Sequence, residues 1–366
     1  MFEVILSAVL PGLALGVLVG ATAQFTTFCS VGAVADIVLA KDWRRARSWM
    51  MAGAVALLGT QIATAEGLIP IYRSVYRAPF ANPLMATIGS LAFGYGMAMA
   101  GGCLQRALVR IGGGSLKSLA TVAIMGATGL LTTHFMNVSG IWAATAWPTE
   151  TPSSLHGIVA ALLGVNPLTT ESAITLIIVA VLLVFCLKDS WFRESPGHLW
   201  GGAAIGVAVA LAWVDWSRTD RDLPRGMNLF ADLIYSAHAF MPSQNPSHEA
   251  GSSLPALGHA VIMGAVLMGI VLGSFVVALV RKDLMADRFT DREDIKRHIV
   301  GGVLMGIGGV LAYGCTFGQG LSGFATLSIT SFVAIAGMIA GCLWGVRALE
   351  AGSAWGGLRL CFGHRG

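Results

Sequence analysis

Charge is what this sequence has least of. Asp, Glu, Lys and Arg make up only 11% of its 366 residues, against 55% hydrophobic residues and a mean hydropathy of +0.73. An ordinary soluble domain keeps about a quarter of its residues charged, so that class is excluded. Residues 1–10 contain no Lys or Arg. They therefore lack the basic start of a cleaved signal peptide, and the first apolar run is expected to be a retained span. No C-x-x-C pair and no Cys/His cluster has the spacing of zinc ligands. His134, His156, His238, His248 and His259 share no spacing either. No metal, cofactor or nucleic-acid partner is expected. The sequence also has no nucleotide-binding P-loop, and no carboxylate falls in the middle of an expected span.

Long apolar runs, by contrast, recur along the whole chain. Nine windows have the length and composition of membrane-spanning helices: 5–22, 48–66, 84–100, 115–135, 171–187, 198–214, 257–280, 298–314 and 325–346. The expected fold class is an all-α polytopic membrane protein. Two further pieces, 25–40 and 155–165, are too short or interrupted to span, and 25–40 suits a re-entrant segment. With the N-terminus outside and the C-terminus inside, most of the 23 Lys and Arg fall on the cytoplasmic side. Only Arg73, Arg77, Arg218, Arg221 and Arg225 remain outside. That asymmetry is the one that sets orientation in a bilayer. Two polar connections, 137–170 and 215–254, are expected on the outer side as solvated loops, or as a lid over a pore.

Glycine is abundant, with 47 residues, and it is not scattered at random. "AMAGGCLQRALVRIGGG" and "LAYGCTFGQGLSG" each place a glycine-flanked cysteine beside an apolar run. Aligning Cys103 with Cys315 brings Gly89 onto Gly301, Gly94 onto Gly306, Gly96 onto Gly308, Gly102 onto Gly314 and Ser118 onto Thr330, at a constant offset of 212. A weaker match, "PGLALGVLVG" with "GGAAIGVAVA", has an offset near 190. The expected organisation is a first repeat plus a connecting span over 1–187, and a second, inverted repeat over 188–366. Transporters built this way bind their solute near the midplane, where broken helices of the two repeats meet. Non-helical backbone at that depth is tolerated only where it lines a cavity or is buried in protein. The two cysteine segments are thus the first candidates for a path.

A third stretch, "AQFTTFCSVGA", repeats the theme with Cys29. There Thr27, Ser30 and exposed N–H groups of a helix break could donate to an anion. The alternative is a helix whose hydroxyls satisfy its own carbonyls. Helical spacing puts Cys103, Arg106 and Arg110 on one face. The two arginines either draw an anion inward or reach to the interface. A neutral thiol is a weak donor and a soft, polarizable contact, an odd choice for sulfate but a fitting one for an anion with a soft sulfur end. Thiosulfate has such an end, and weak repeated contacts favour conduction. Cys186 and Cys342 lack the glycine-flanked context and read as small core-filling residues.

The motifs "FTTFCSVGA", "GYGMAMAGGCLQRALVRIGGGSLKS" and "GIGGVLAYGCTFGQGLSG" resemble those of the YeeE/YedE family of sulfur-compound transporters, over nearly the whole chain. The resemblance implies a bacterial inner-membrane protein, not an enzyme, that takes up thiosulfate along a central path. It implies that Cys29, Cys103 and Cys315 hand the ion on, with Gly102, Arg106, Gly314 and Gln319 shaping the path. A small cytoplasmic sulfur-carrier protein is an implied partner. Two other functions remain open at this point: transport of another sulfur or selenium anion, and a membrane-embedded sulfurtransferase that forms a cysteine persulfide.

Overall fold

The computed structural model describes residues 2–77, 82–141, 153–219, 224–238, 256–284 and 286–361. Fifteen helices are described: α1 Phe2–Thr26, α2 Ser30–Ala35, α3 Arg44–Ala65, α4 Pro83–Met99, α5 Leu104–Gly112, α6 Leu116–Val138, α7 Leu155–Leu163, α8 Pro167–Leu187, α9 Ser190–Arg193, α10 Pro196–Thr219, α11 Leu229–His238, α12 Ala256–Arg281, α13 Arg292–Leu311, α14 Ile329–Ala351 and α15 Ala354–Cys361. Among the described residues there are no strands, only one isolated bridge between Ser154 and Ser328. Eight helical stretches of the described chain are long and apolar enough to cross a membrane. The ninth expected window, 298–314, covers the last part of α13 and the turn after it. Arg292, Glu293, Asp294, Lys296 and Arg297 crowd the first turns of that helix and leave an apolar run after them. The protein is an all-α polytopic membrane protein.

Helices pair through glycine seams, because in a bilayer close backbone approach replaces the hydrophobic drive that water supplies. α1 lies on α12, and a β-carbon on Gly16 would sit 2.3 Å from the Val266 carbonyl oxygen. α10 lies on α3, where a β-carbon on Gly206 would come within 2.6 Å of the Ala52 oxygen. α4 packs on α14 and α13 on α6, again through buried glycines such as Gly94 and Gly306. α4 and α13 cross each other, with Gly89 against Gly308 and Gly96 against Gly301. The 212-residue offset turns the first of these contacts into the second. The pairings α1–α12 and α10–α3, like α4–α14 and α13–α6, each join residues 1–187 to residues 188–366, and Gly16 and Gly206, aligned at offset 190, both lie in such seams.

The segment 25–40 is a break at 27–29, the short helix α2, and a π-helical turn over Asp36–Ala40. α7 covers most of 155–165 and docks by its start: Leu155 N–H donates to the Leu327 carbonyl at 2.9 Å, and Ile329 N–H to Ser153 at 3.1 Å. Arg77 strengthens this contact, with Nε donating to the Thr326 carbonyl at 2.9 Å and Nη2 pairing with Glu171 at 2.9 Å. Residues 142–152, 220–223 and 239–255 of the expected outer connections lie outside the described residues. The reading of 215–254 as one solvated loop is corrected within it. α11 is a helix whose Leu229, Phe230 and Asp232 are buried against the bundle. Ten residues are too few to span, so the segment escaped a search for long apolar runs.

Candidate site at four helix breaks

The three glycine- or threonine-flanked cysteines share one backbone construction. α1 stops at Thr26, Thr27 takes the left-handed conformation (φ 53°), and Phe28 N–H returns to the Ala23 carbonyl at 3.1 Å. α4 stops at Met99, Gly101 is left-handed (φ 68°), and Gly102 N–H returns to Met97 at 2.9 Å. α13 stops at Leu311, Tyr313 is left-handed (φ 57°), and Gly314 N–H returns to Gly309 at 2.9 Å. This is the Schellman closure, which satisfies the orphan carbonyls of a helix end. In each case the next residue is the cysteine, and it opens the following helical segment. Cys29 is the N-cap of α2, Cys103 that of α5, and the Cys315 carbonyl accepts from Gln319 N–H at 2.8 Å. Thr27 and Tyr313 hold a conformation that costs a non-glycine residue about 1–2 kcal/mol, a strain that concentrates at functional sites.

A fourth break, between α10 and α11, shares the last part of this plan without a cysteine. Gly226 is left-handed (φ 57°), Met227 follows, and Asn228 caps α11 by accepting from Ala231 N–H at 3.3 Å. The pattern of one left-handed residue, one further residue and a capping side chain is the signal that would have found it. Asn228 also joins two breaks, because its Nδ2 donates to the Tyr313 carbonyl at 3.1 Å. The Cys315 sulfur receives backbone N–H groups from Phe317, Gly318 and Phe230, so two helix starts converge on it.

The sulfurs act on one another electrostatically. Cys103 and Cys315 are fully buried and Cys29 nearly so. Cys103 is within electrostatic reach of both other thiols. Cys342 of α14, expected to be a core filler, is fully buried and within the same reach of Cys29 and Cys103. All of them are free thiols. Three guanidinium groups gather at the Cys29–Cys103 end. Arg106 is within electrostatic reach of both sulfurs and of Arg45 and Arg110. Arg45 lies over Gly32, and Arg110 lies over Gly101. Of the three, Arg45 has a carboxylate partner, Asp36 at 3.3 Å. A cavity of about 10 Å³, room for one water, adjoins Arg110, Gly102 and Ser118.

Four buried donors beside these breaks have no hydrogen-bond partner among the described residues: Trp49 Nε1, Gln105 Nε2, Arg106 Nη1 and Thr316 Oγ1. Buried polar groups are nearly always satisfied, so a cluster of exceptions needs a reason. Gln105 and Arg106 follow Cys103 in α5, and Thr316 follows Cys315. Trp49 bridges the two ends, stacked on Phe28 at 4.5 Å and edge-on to Phe317 at 6.2 Å. The sequence pattern did not single out Trp49, Gln105 or Thr316. An unpaired donor is a property of the packed chain, and no spacing announces it.

The remaining expected residues separate into two sets. Thr27 has an exposed side chain, and its visible contribution is its backbone turn. Ser30 is half-buried, with Oγ 3.9 Å from the Met97 sulfur. Gln319 is fully buried and its amide is occupied: Nε2 donates to the Ala312 carbonyl at 2.6 Å, and Oε1 accepts from Ser331 at 2.6 Å. It braces the break before Cys315 against α14. Gly102 and Gly314 are the residues that close the Schellman turns. Among the described residues no group of His, Cys, Asp and Glu is placed to hold a metal ion.

Comparison with known proteins bears on what this site handles. Residues 25–344 match the model of a protein family described as sulphur transport. The chain is 26% identical over 362 residues to the thiosulfate transporter TsuA of Escherichia coli, covering 92% of this chain and 93% of that protein. It is 24% identical over 333 residues to the thiosulfate transporter TsuA of Spirochaeta thermophila, covering 88% of this chain and 93% of that one.

Proposed function

The chain belongs to the sulphur-transport family, and from that premise we propose that it imports thiosulfate across the bacterial inner membrane. The relatives named as thiosulfate transporters span nearly the full chain, which supports passage of that ion. The observation that supports the reading is that three buried cysteines at helix breaks are followed or packed by buried donors that lack partners among the described residues. Thiosulfate needs both kinds of contact. Its sulfonate oxygens accept from N–H, O–H and guanidinium groups, and its terminal sulfur meets thiols as a soft, weak partner. The ion would pass Cys315 first, between the starts of α11 and the 316–326 segment. It would then reach Cys103 and Cys29, where Arg106 and Arg110 hold it at the cytoplasmic end. A small sulfur-carrier protein would collect it there.

The N-terminus is placed outside and the C-terminus inside, a placement that rests on the basic residues of the connections. The reciprocal seams support reading 1–187 and 188–366 as inverted repeats around the α4–α13 crossing. Weak contacts spread along the path suit conduction, since the solute must leave each site as readily as it enters. The electrical cost is large: each charge moved inward against the potential costs about 2.3 kcal/mol per 100 mV, and a dianion carries two.

The test is uptake of thiosulfate labelled in its outer sulfur, with excess unlabelled sulfate present, in cells lacking other routes. Intact ion should appear inside regardless of sulfate, and Cys315→Ser should abolish most of it while the protein still inserts. Label recovered as a protein persulfide, with sulfite left outside, would replace transport by sulfur transfer.

A further inference from the structure

One buried ionisable group lies beside the path and takes no part in binding the anion as described. Asp232 sits one helical turn beyond Asn228 on α11, and its N–H donates to the Asn228 carbonyl at 2.9 Å. It is fully buried, and neither carboxylate oxygen has a hydrogen-bond partner among the described residues. Arg225 is the cation within its electrostatic reach, yet no ion pair joins the two. Aromatic rings on either side keep Arg225 in place: Trp216 and Tyr235 each lie 4.5 Å from the guanidinium, with the Met263 sulfur 2.8 Å from Nη2.

The helices packed on α11 are α12, α6 and α5, with Phe93 of α4 and Gly309 of α13 meeting Phe230. The groups that face Asp232 through charge are Arg225 and Tyr76. Tyr76 donates to the Arg225 carbonyl at 3.2 Å and is within electrostatic reach of Cys315. The carboxyl is thus connected to the outer thiol by two routes. One runs through Tyr76, the other through Asn228 and the first turn of α11, whose Phe230 N–H points at the Cys315 sulfur.

A carboxylate this deep without hydrogen bonds is a poor resting state, and a proton relieves it. Its two states differ by one charge beside the route of a dianion. The charged state repels the ion and attracts Arg225. The neutral state removes the repulsion and leaves the Arg225 charge uncompensated beside Tyr76. We propose that Asp232 is a proton-carrying site, and that the protein moves protons together with thiosulfate. The proton boards the carboxylate from the outer water as the anion enters and leaves to the cytoplasm with it. No bond of the anion breaks, and nothing is oxidised. This inference rests on the thiosulfate reading.

The experiment uses the full chain in liposomes that hold a pH-sensitive dye, with the membrane potential clamped and thiosulfate added outside. Label uptake and internal pH are read together. The wild type should acidify the interior with thiosulfate and not with sulfate. Lowering the outer pH should speed its uptake, by up to about tenfold per unit while proton boarding limits the rate. Asp232→Asn should lose the acidification and the pH dependence while still exchanging labelled for unlabelled thiosulfate. Asp232→Glu should keep the coupling. Thiosulfate uptake by the wild type without acidification would overturn the proposal, and this arm needs no variant. Acidification that persists in Asp232→Asn would also overturn it. A wild type that takes up no thiosulfate would overturn this inference and the transport reading together.

Discussion

Arg106→Gln separates the two roles that an arginine at this depth can have. Nη1 of Arg106 is buried without a partner, and the guanidinium group is within electrostatic reach of Cys29 and Cys103. If the group waits for an anion, the substitution removes a charge-assisted hydrogen bond, worth about 1.5–3 kcal/mol. That corresponds to roughly a ten- to 150-fold rise in KM, since each 1.4 kcal/mol is a factor of ten. The empty protein should respond in the opposite sense. Removing an unsatisfied buried donor that is also near Arg45 and Arg110 relieves desolvation and repulsion, so the unfolding temperature should hold or rise. Most substitutions lower it, by a central value of about 1 kcal/mol. The assay is initial uptake rate against thiosulfate concentration, paired with thermal unfolding with and without the ion. At one hundred times Kd the ion should stabilise the wild type by about 2.7 kcal/mol, and the variant much less at the same concentration. An unchanged KM together with a lower unfolding temperature would refute the reasoning, because that is how an arginine reaching for the interface behaves.

Three further outcomes follow from the packing. Gly16→Val and Gly206→Val each push a β-carbon into a facing carbonyl, so both should destabilise by about 1–3 kcal/mol or more, read as loss of folded protein in detergent; two well-folded variants would contradict the tight seams. Glu171→Gln leaves the buried Arg77 charge without a carboxylate partner and should lower stability by about 1–3 kcal/mol, seen as a reduced unfolding temperature. Thr27→Gly should raise stability by about 1 kcal/mol with uptake retained, because it relieves a left-handed residue whose side chain is exposed; loss of uptake would return the Thr27 hydroxyl to the path.

The spans were legible because each is a run of about 20 apolar residues, a property that needs no partner to be recognised. The breaks were legible at Cys29, Cys103 and Cys315 because glycine, threonine and cysteine interrupt those runs visibly. Asn228 was hidden, although a left-handed residue and a capping side chain mark its turn as well, because it sits in a Pro- and Asp-rich stretch that reads as loop. Asp232 was hidden with it: its apolar neighbours in "LFADLIY" form too short a run to read as a span, so the acid looks solvated until α11 is seen to be buried. The roles of Trp49 and Gln105 depend on neighbours more than 200 residues away in sequence or on donors left unpaired, and composition does not encode either. The two-glycine match at offset 190 was weak as a string. Its meaning came from the seams, where Gly16 and Gly206 meet α12 and α3 in the same way.

Those seams also restrict how the molecule can move. Carriers made of two repeats commonly work by rocking one half against the other about a fixed site. Here α1 is locked to α12, α10 to α3, and α4 to α14, so nearly every tight contact runs between the halves and not within one. Rigid rotation of either half would pull apart backbones already close enough to exclude a β-carbon. Opening is therefore expected to be local, in the short segments after the breaks, with the long helices as a fixed frame. Cross-linking α1 to α12 should leave uptake running, as in a gated channel, whereas cross-linking α2 to α5 should stop it.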